Sequence, residues 1–90
     1  MVGYDGAKSF AAALNVNSTI EFLELGHNRI RNKGLKVIAV AIASNQSSRL
    51  SILGLRFNFL TEEGIIGFFR LIQAGVQKPS ALTELYIKNN

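Results

Sequence analysis

The chain has 90 residues, which is room for one small domain and not for two. Hydrophobic residues make up 48% and charged residues 18%, a composition typical of a folded protein rather than a disordered one. The absence of cysteine excludes disulfides, a thiol nucleophile and thiolate zinc sites, and a single histidine excludes a multi-histidine metal site. The net charge of +4 favours acidic partners without identifying them.

Apolar residues switch between helical and strand spacing along the chain. In chain order, the pattern predicts a helix with Ala7, Phe10, Ala11 and Leu14 on one face, a strand with Leu23 and Leu25, and a helix with Leu35, Ile38, Ala39 and Ile42 on one face. It then predicts a strand over residues 52–56, a helix with Ile65, Phe68, Phe69 and Ile72 on one face, and a strand over residues 84–88.

The chain repeats itself, and the repeat decides the predicted fold. Residues 20–42 and 50–72 carry apolar residues, an asparagine and a glycine at equivalent positions, each recurring 30 residues later. Residues 82–90 begin a third copy, and residues 2–14 correspond to the second half of an earlier copy at a spacing of 28. Each unit is therefore predicted to be a short strand, a turn and a helix that returns antiparallel to the strand.

An asparagine follows each predicted strand, at Asn28, Asn58 and Asn90. A short amide side chain there can donate and accept hydrogen bonds with backbone groups left free where the chain turns, so stacked copies would form a ladder of amides. The glycines near the helix starts, at positions 6, 34 and 64, are interpreted as allowing close packing or unusual backbone angles. A phosphate-binding loop is disfavoured because no Gly-Lys-Ser/Thr sequence follows.

These residues resemble the leucine-rich repeat family, specifically its long ribonuclease-inhibitor type. The shared pattern is L-x-x-L-x-L-x-x-N-x-L, followed by a glycine and two apolar helix positions four residues apart, in three registered copies across essentially the whole chain. The resemblance implies an α/β horseshoe, a solenoid with three short parallel strands on its concave face and three helices on its convex face. Ribonuclease inhibitor itself contains many cysteines, which this chain lacks.

Residues 1–90 are interpreted as a single segment of three turn-helix-strand units. The chain begins and ends at the same point of the repeat and shows no polar cap, which solenoid ends normally need. We therefore expect a fragment of a longer array. Self-association through the uncapped ends is the alternative, and size-exclusion chromatography across concentrations distinguishes the two.

The candidate binding surface follows from the predicted strands. If the core leucines point inward, the residues between them form the concave surface, and aromatic residues and arginine there are typical of binding hot spots. Phe57 and Phe59 flank Asn58, and either ring could instead tuck into the turn beneath the sheet. The predicted partner-binding residues are Phe22, Glu24, His27, Arg29, Ile52, Arg56, Phe57, Glu84, Tyr86 and Lys88.

Several other polar residues have structural explanations. His27 has no second histidine near it, so a solvated or hydrogen-bonded ring is expected rather than a catalytic one. Glu62 and Glu63 are expected at a helix start, where acidic side chains favour the helix dipole. Asn17 and Asn45 match the glycosylation pattern but are expected to be helix-end asparagines, a residue type that accepts left-handed backbone geometry.

The sequence predicts a protein–protein interaction scaffold without catalytic residues, cofactor or metal, and the family resemblance implies the same. Two alternatives stay open. One is an enzyme-regulating module, such as a GTPase activator, because a few relatives act in this way. The other is an acidic-ligand or RNA binder that uses the basic residues after Asn28, since no acidic residue occurs between Glu24 and Glu62.

The sequence also bears on localisation and on the partners that are not expected. The N-terminus has neither a positive region nor an apolar run, so a secretory signal is not expected, and the absence of cysteine also favours the cytoplasm. No apolar stretch is long enough to cross a membrane. Nucleic acid is not the expected partner, because there is no dense basic run and no recognised nucleic-acid-binding module.

Overall fold

A computed structural model describes residues 3–45, 47–75, 82 and 84–90. Helices and strands alternate in the predicted order. The elements are α1 (Gly3–Leu14), β1 (Phe22–Glu24), α2 (Arg31–Ser44), β2 (Ile52–Gly54), α3 (Glu62–Gly75) and β3 (Glu84–Tyr86).

The three strands form one parallel sheet in the order β1-β2-β3. Consecutive strands are neighbours because each is joined to the next by a helix, the connection that parallel pairing requires. The register is that of the sequence repeat, so equivalent residues of successive units lie side by side. The three rows are Phe22, Ile52 and Glu84; Leu23, Leu53 and Leu85; and Glu24, Gly54 and Tyr86.

The helices form a second layer, in which α1 packs against α2 and α2 packs against α3. One hydrophobic core joins the two layers. Leu53 and Leu55 contribute to it from the second unit's strand segment, and Ile38 and Phe68 contribute from α2 and α3. Alternation along the strands therefore leaves one side of the sheet open, with Phe22 and Glu24 exposed on it. None of the described helices is long and apolar enough to cross a membrane.

The predicted buried face of α3 is wrong at one position. Phe68 is buried, but Phe69 is 44% exposed, with its ring edge-on to Phe68 at a centroid distance of 5.7 Å. The equivalent residues of α1 and α2 are Ala11 and Ala39, and both are buried. Among the described elements, α1 packs against α2 and α2 packs against α3, so each has the next helix of the chain beside it. α3 packs only against the preceding helix, α2.

At positions 34 and 64, the glycines near the helix starts serve close packing rather than unusual backbone angles. Neither Gly34 nor Gly64 has a positive φ. A Cβ on Gly34 would lie 2.8 Å from Ile30 Cγ2 and 3.1 Å from Ala7 Cβ, so its absence allows α1 to approach α2. A Cβ on Gly64 would overlap the side-chain amide of Asn32, which lies on α2.

The prediction that Asn17 and Asn45 end helices is confirmed for Asn45, whereas α1 ends at Leu14, and neither asparagine has left-handed geometry. Asn45 ends α2 with φ −96°, and Asn17 also has no positive φ. Helix ends leave backbone carbonyls without intrahelical partners. The side chain of Asn45 satisfies one of these, the carbonyl of Leu14 at the end of α1, since its Nδ2 donates to the carbonyls of Leu14 and Asn17 at 2.8 and 2.7 Å. Asn17 Oδ1 accepts from the backbone N–H groups of Thr19 and Ile20. Both amides therefore fix helix-to-strand connections.

Candidate partner-binding surface

The asparagine after each strand connects one unit to the next. Asn58 is fully buried, and its Oδ1 accepts from the backbone N–H groups of Asn28 and Ile30 at 2.9 and 3.1 Å. Its Nδ2 donates to the carbonyls of Leu25 and Arg56 at 2.7 and 3.2 Å. One side chain thus satisfies backbone groups of two units at the point where the strands end.

Asn90 repeats this arrangement one unit later. Its Oδ1 accepts from the N–H groups of Asn58 and Leu60, and its Nδ2 donates to the carbonyls of Leu55 and Ile87. Asn28 Nδ2 likewise donates to the carbonyl of Gly26, two residues after β1, at 3.0 Å. The amides therefore set the position of each turn against its neighbour.

The turns have an alternating backbone conformation that the sequence does not reveal. His27 and Arg29 have φ of 61° and 53°, and Phe57 and Phe59 have φ of 58° and 59°. Left-handed geometry is unfavourable for such residues and persists only where the surrounding structure imposes it. The amide of Asn58 supplies that constraint for the first turn through the N–H groups of Asn28 and Ile30, and the amide of Asn90 supplies it for the second through the N–H groups of Asn58 and Leu60. In each turn the two left-handed residues are exposed. In the second turn, Asn58 lies between them and points inward.

Phe57 and Phe59 are both exposed, at 43% and 61%, so the interpretation in which they tuck beneath the sheet is wrong. The Phe57 ring stacks on His27 with a centroid distance of 4.2 Å and an interplanar angle of 15°. The guanidinium of Arg31 lies over the Phe59 ring, 5.5 Å from its centroid. These contacts hold the rings in place without removing them from solvent.

On the open face of the sheet, the side chain of Tyr86 contacts those of Glu84 and Arg56. The hydroxyl of Tyr86 donates to Glu84 Oε2 at 2.6 Å, and the Arg56 guanidinium lies 5.2 Å from the Tyr86 ring centroid. The hydrogen bond to Glu84, reinforced by its negative charge, raises the pKa of Tyr86 above 10.0, and the nearby Arg56 charge opposes the rise.

Glu24 occupies the first strand of the same face. Its carboxylate accepts from the backbone N–H of Gly26 at 2.7 Å and lies over Gly54, where a Cβ would overlap it. Glycine at position 54 therefore leaves room for the Glu24 side chain to fold across the sheet.

The structure brings the predicted surface residues together on the open face and its adjoining turns. Nine of the ten predicted partner-binding residues are exposed, and the tenth, Ile52, is half-buried. Arg29 and Lys88 are exposed at positions after β1 and β3. The ten residues leave out Arg31 and Lys33, which belong to the basic residues after Asn28 named in the alternative interpretation and whose charges extend the surface onto the start of α2. The charge imbalance after Asn28 was the available signal for them.

His27 has a ring contact with Phe57, and the described residues contain no group of three potential metal ligands.

Comparison with known proteins supports one family. Residues 16–39 match a family model described as Leucine Rich repeat, and this stretch contains β1, the turn with Asn28 and the first part of α2. The match supports a leucine-rich repeat protein. Leucine-rich repeats generally mediate protein–protein interaction, and the family is typically a non-enzymatic scaffold. Neither a curated protein nor a solved structure gives a significant match to the chain.

Proposed function

We propose that this chain is a non-enzymatic scaffold that binds a protein partner on the open face of its sheet and on the turns that follow the strands. We further propose that its units are of the ribonuclease-inhibitor type and stack into a curved solenoid whose concave side is this open face. The supports for the architecture are the 30-residue spacing, a full helix in each unit and the parallel sheet with repeat register. A cytoplasmic location stays a prediction.

Exposed aromatic rings carry the proposal. Phe22 and Tyr86 are exposed on the open face, and Phe57 and Phe59 are exposed in the adjoining turn. Large aromatic side chains contribute most to protein interfaces when a partner covers them, because they bury much area with few rotatable bonds. The stack of Phe57 on His27 already restricts its ring, so binding loses less side-chain entropy.

Charges around these rings would orient a partner. Glu24 and Glu84 lie at opposite edges of the open face, on β1 and β3, and Arg56 follows the central strand. Such an arrangement of both signs favours one docking orientation and penalises like-charged alternatives.

A matched pair of phenylalanines provides the test. Phe57 and Phe69 have nearly equal exposure, 43% and 44%, but Phe57 lies in the turn and Phe69 on α3. A protein captured from the native source by the immobilised chain is purified, and its Kd is measured against Phe57→Ala, Phe69→Ala and Arg56→Glu variants. We expect Phe57→Ala and Arg56→Glu each to weaken binding by at least about tenfold, and Phe69→Ala to change it less than about twofold. If Phe69→Ala weakens binding and the other two do not, the partner binds the helices instead.

A further inference from the structure

We propose that the basic residues after β1 bind an acidic segment of the partner that also carries aromatic side chains. This inference rests on the proposed function and specifies the chemistry of the partner. The surface, called here the basic rim, consists of His27, Arg29, Arg31, Lys33, Phe57 and Phe59.

The basic rim is contiguous across two units. Phe57 stacks on His27, its equivalent in the preceding unit, and Phe59 is the equivalent of Arg29. Arg31 lies over the Phe59 ring. Cationic and aromatic side chains thus alternate on one exposed strip beside the open face of the sheet.

Among the described residues, two of the three rim cations that are arginine or lysine have aromatic partners, and none has an acidic partner. Within the described ranges one ion pair occurs, between Lys8 and Asp5, and it lies outside the rim. Arg31 contacts the Phe59 ring, and the Lys33 ammonium lies 4.5 Å from the ring centroid of Tyr4. A cation over a ring is held in position but keeps its full charge. The positive charge of the rim is therefore available to a ligand.

Comparison of the three units shows that this charge is specific to the second helix. Lys33 lies in the first turn of α2, and the equivalent residues of α1 and α3 are Asp5 and Glu63. Acidic side chains are favourable at that end of a helix and basic ones are unfavourable. The second unit thus places a lysine where local stability favours an acid, and a bound carboxylate would compensate the lysine.

The neighbouring acids favour a protein ligand over RNA. Glu24 and Glu84 lie on the adjoining open face, where they would repel a phosphate backbone that continued from the rim across the strands. A peptide can place carboxylates on the rim and neutral or basic residues over the strands. The exposed Phe57 and Phe59 rings then supply apolar contact area for aromatic side chains of the same segment.

The test uses a labelled short peptide of alternating glutamate and tyrosine, its glutamine counterpart, and a single-stranded RNA of equal length. Fluorescence anisotropy is measured with the whole chain, with the double variant Arg31→Glu and Lys33→Glu, and with Arg70→Glu, an exposed α3 cation that controls for a generic effect of charge. We expect the glutamate peptide to bind, the double variant to lose at least about tenfold in affinity, and Arg70→Glu to change it less than about twofold. Circular dichroism should show the double variant folded, because an acid at position 33 matches the other two helices.

Three results overturn the inference: absence of peptide binding, equal affinity for the glutamine peptide, or tighter binding of the RNA. None of them affects the Phe57→Ala and Phe69→Ala comparison with the captured partner. If that comparison also fails, the proposed function fails as well; if it succeeds, only the acidic chemistry of the ligand is wrong.

Discussion

Replacing Asn58 with leucine, which has the same number of side-chain heavy atoms and the same branching, removes four hydrogen bonds made by a fully buried side chain. The change leaves two backbone N–H groups and two backbone carbonyls without their hydrogen-bond partner. At about 1 kcal/mol for each bond, the free energy of unfolding should fall by about 4 kcal/mol. A chain of this length has a total stability of about 5–14 kcal/mol, so the loss is a large part of the whole.

Urea denaturation followed by far-UV circular dichroism measures this loss. For m near 1.5 kcal/mol/M, a decrease of about 4 kcal/mol lowers the midpoint by about 2–3 M. Asn90→Leu is the control, because Asn90 also makes four hydrogen bonds, of 2.7–3.2 Å, but is exposed. Water can replace an exposed amide, so we expect a loss of about 2 kcal/mol or less there. Equal losses for the two variants would refute the claim that burial of the Asn58 amide sets its importance.

Two further predictions concern α3 and the open face. Gly64→Ala should destabilise the chain by about 1–3 kcal/mol in the same urea assay, because the new Cβ would overlap Asn32. Gly67→Ala, whose Cβ would meet no atom within 4 Å, should stabilise the chain by about 0.5–1 kcal/mol. The reverse order of stabilities would contradict this packing. The hydrogen bond to the Glu84 carboxylate raises the pKa of Tyr86. The stability that this hydrogen bond contributes is therefore present below about pH 10 and is lost as the pH rises through the raised pKa. Glu84→Gln should return the pKa of Tyr86 towards 10.0 in a tyrosinate absorbance titration, and an unchanged titration would show that the carboxylate is not the cause.

The sequence predicted the elements and their alignment because both depend on local patterns. Spacing of apolar residues distinguishes strand from helix, and the 30-residue repeat places Leu23 beside Leu53, as the parallel register has it. Exposure of Phe22 and Glu24 followed from strand alternation once the leucines between them were assigned to the core.

Features that depend on contacts between units could not be predicted in the same way. The exposure of Phe69 reflects which helices have a neighbour, which residue spacing alone does not give. The turn with left-handed Phe57 and Phe59 is held by the amide of Asn90 in the following unit, which accepts from the N–H groups of Asn58 and Leu60, and no local propensity of phenylalanine predicts this conformation. The pairing of Arg31 with Phe59 joins residues 28 positions apart and becomes visible only when the units are stacked.

Hydrogen–deuterium exchange of the chain with and without its captured partner tests the central claim most directly. We predict that binding slows exchange in residues 22–29, 52–59 and 84–90, which form the strands and their following turns, and leaves α2 and α3 beyond their first turns unchanged. Protection confined to residues 35–44 and 66–75, with none in the strands or turns, would contradict the account.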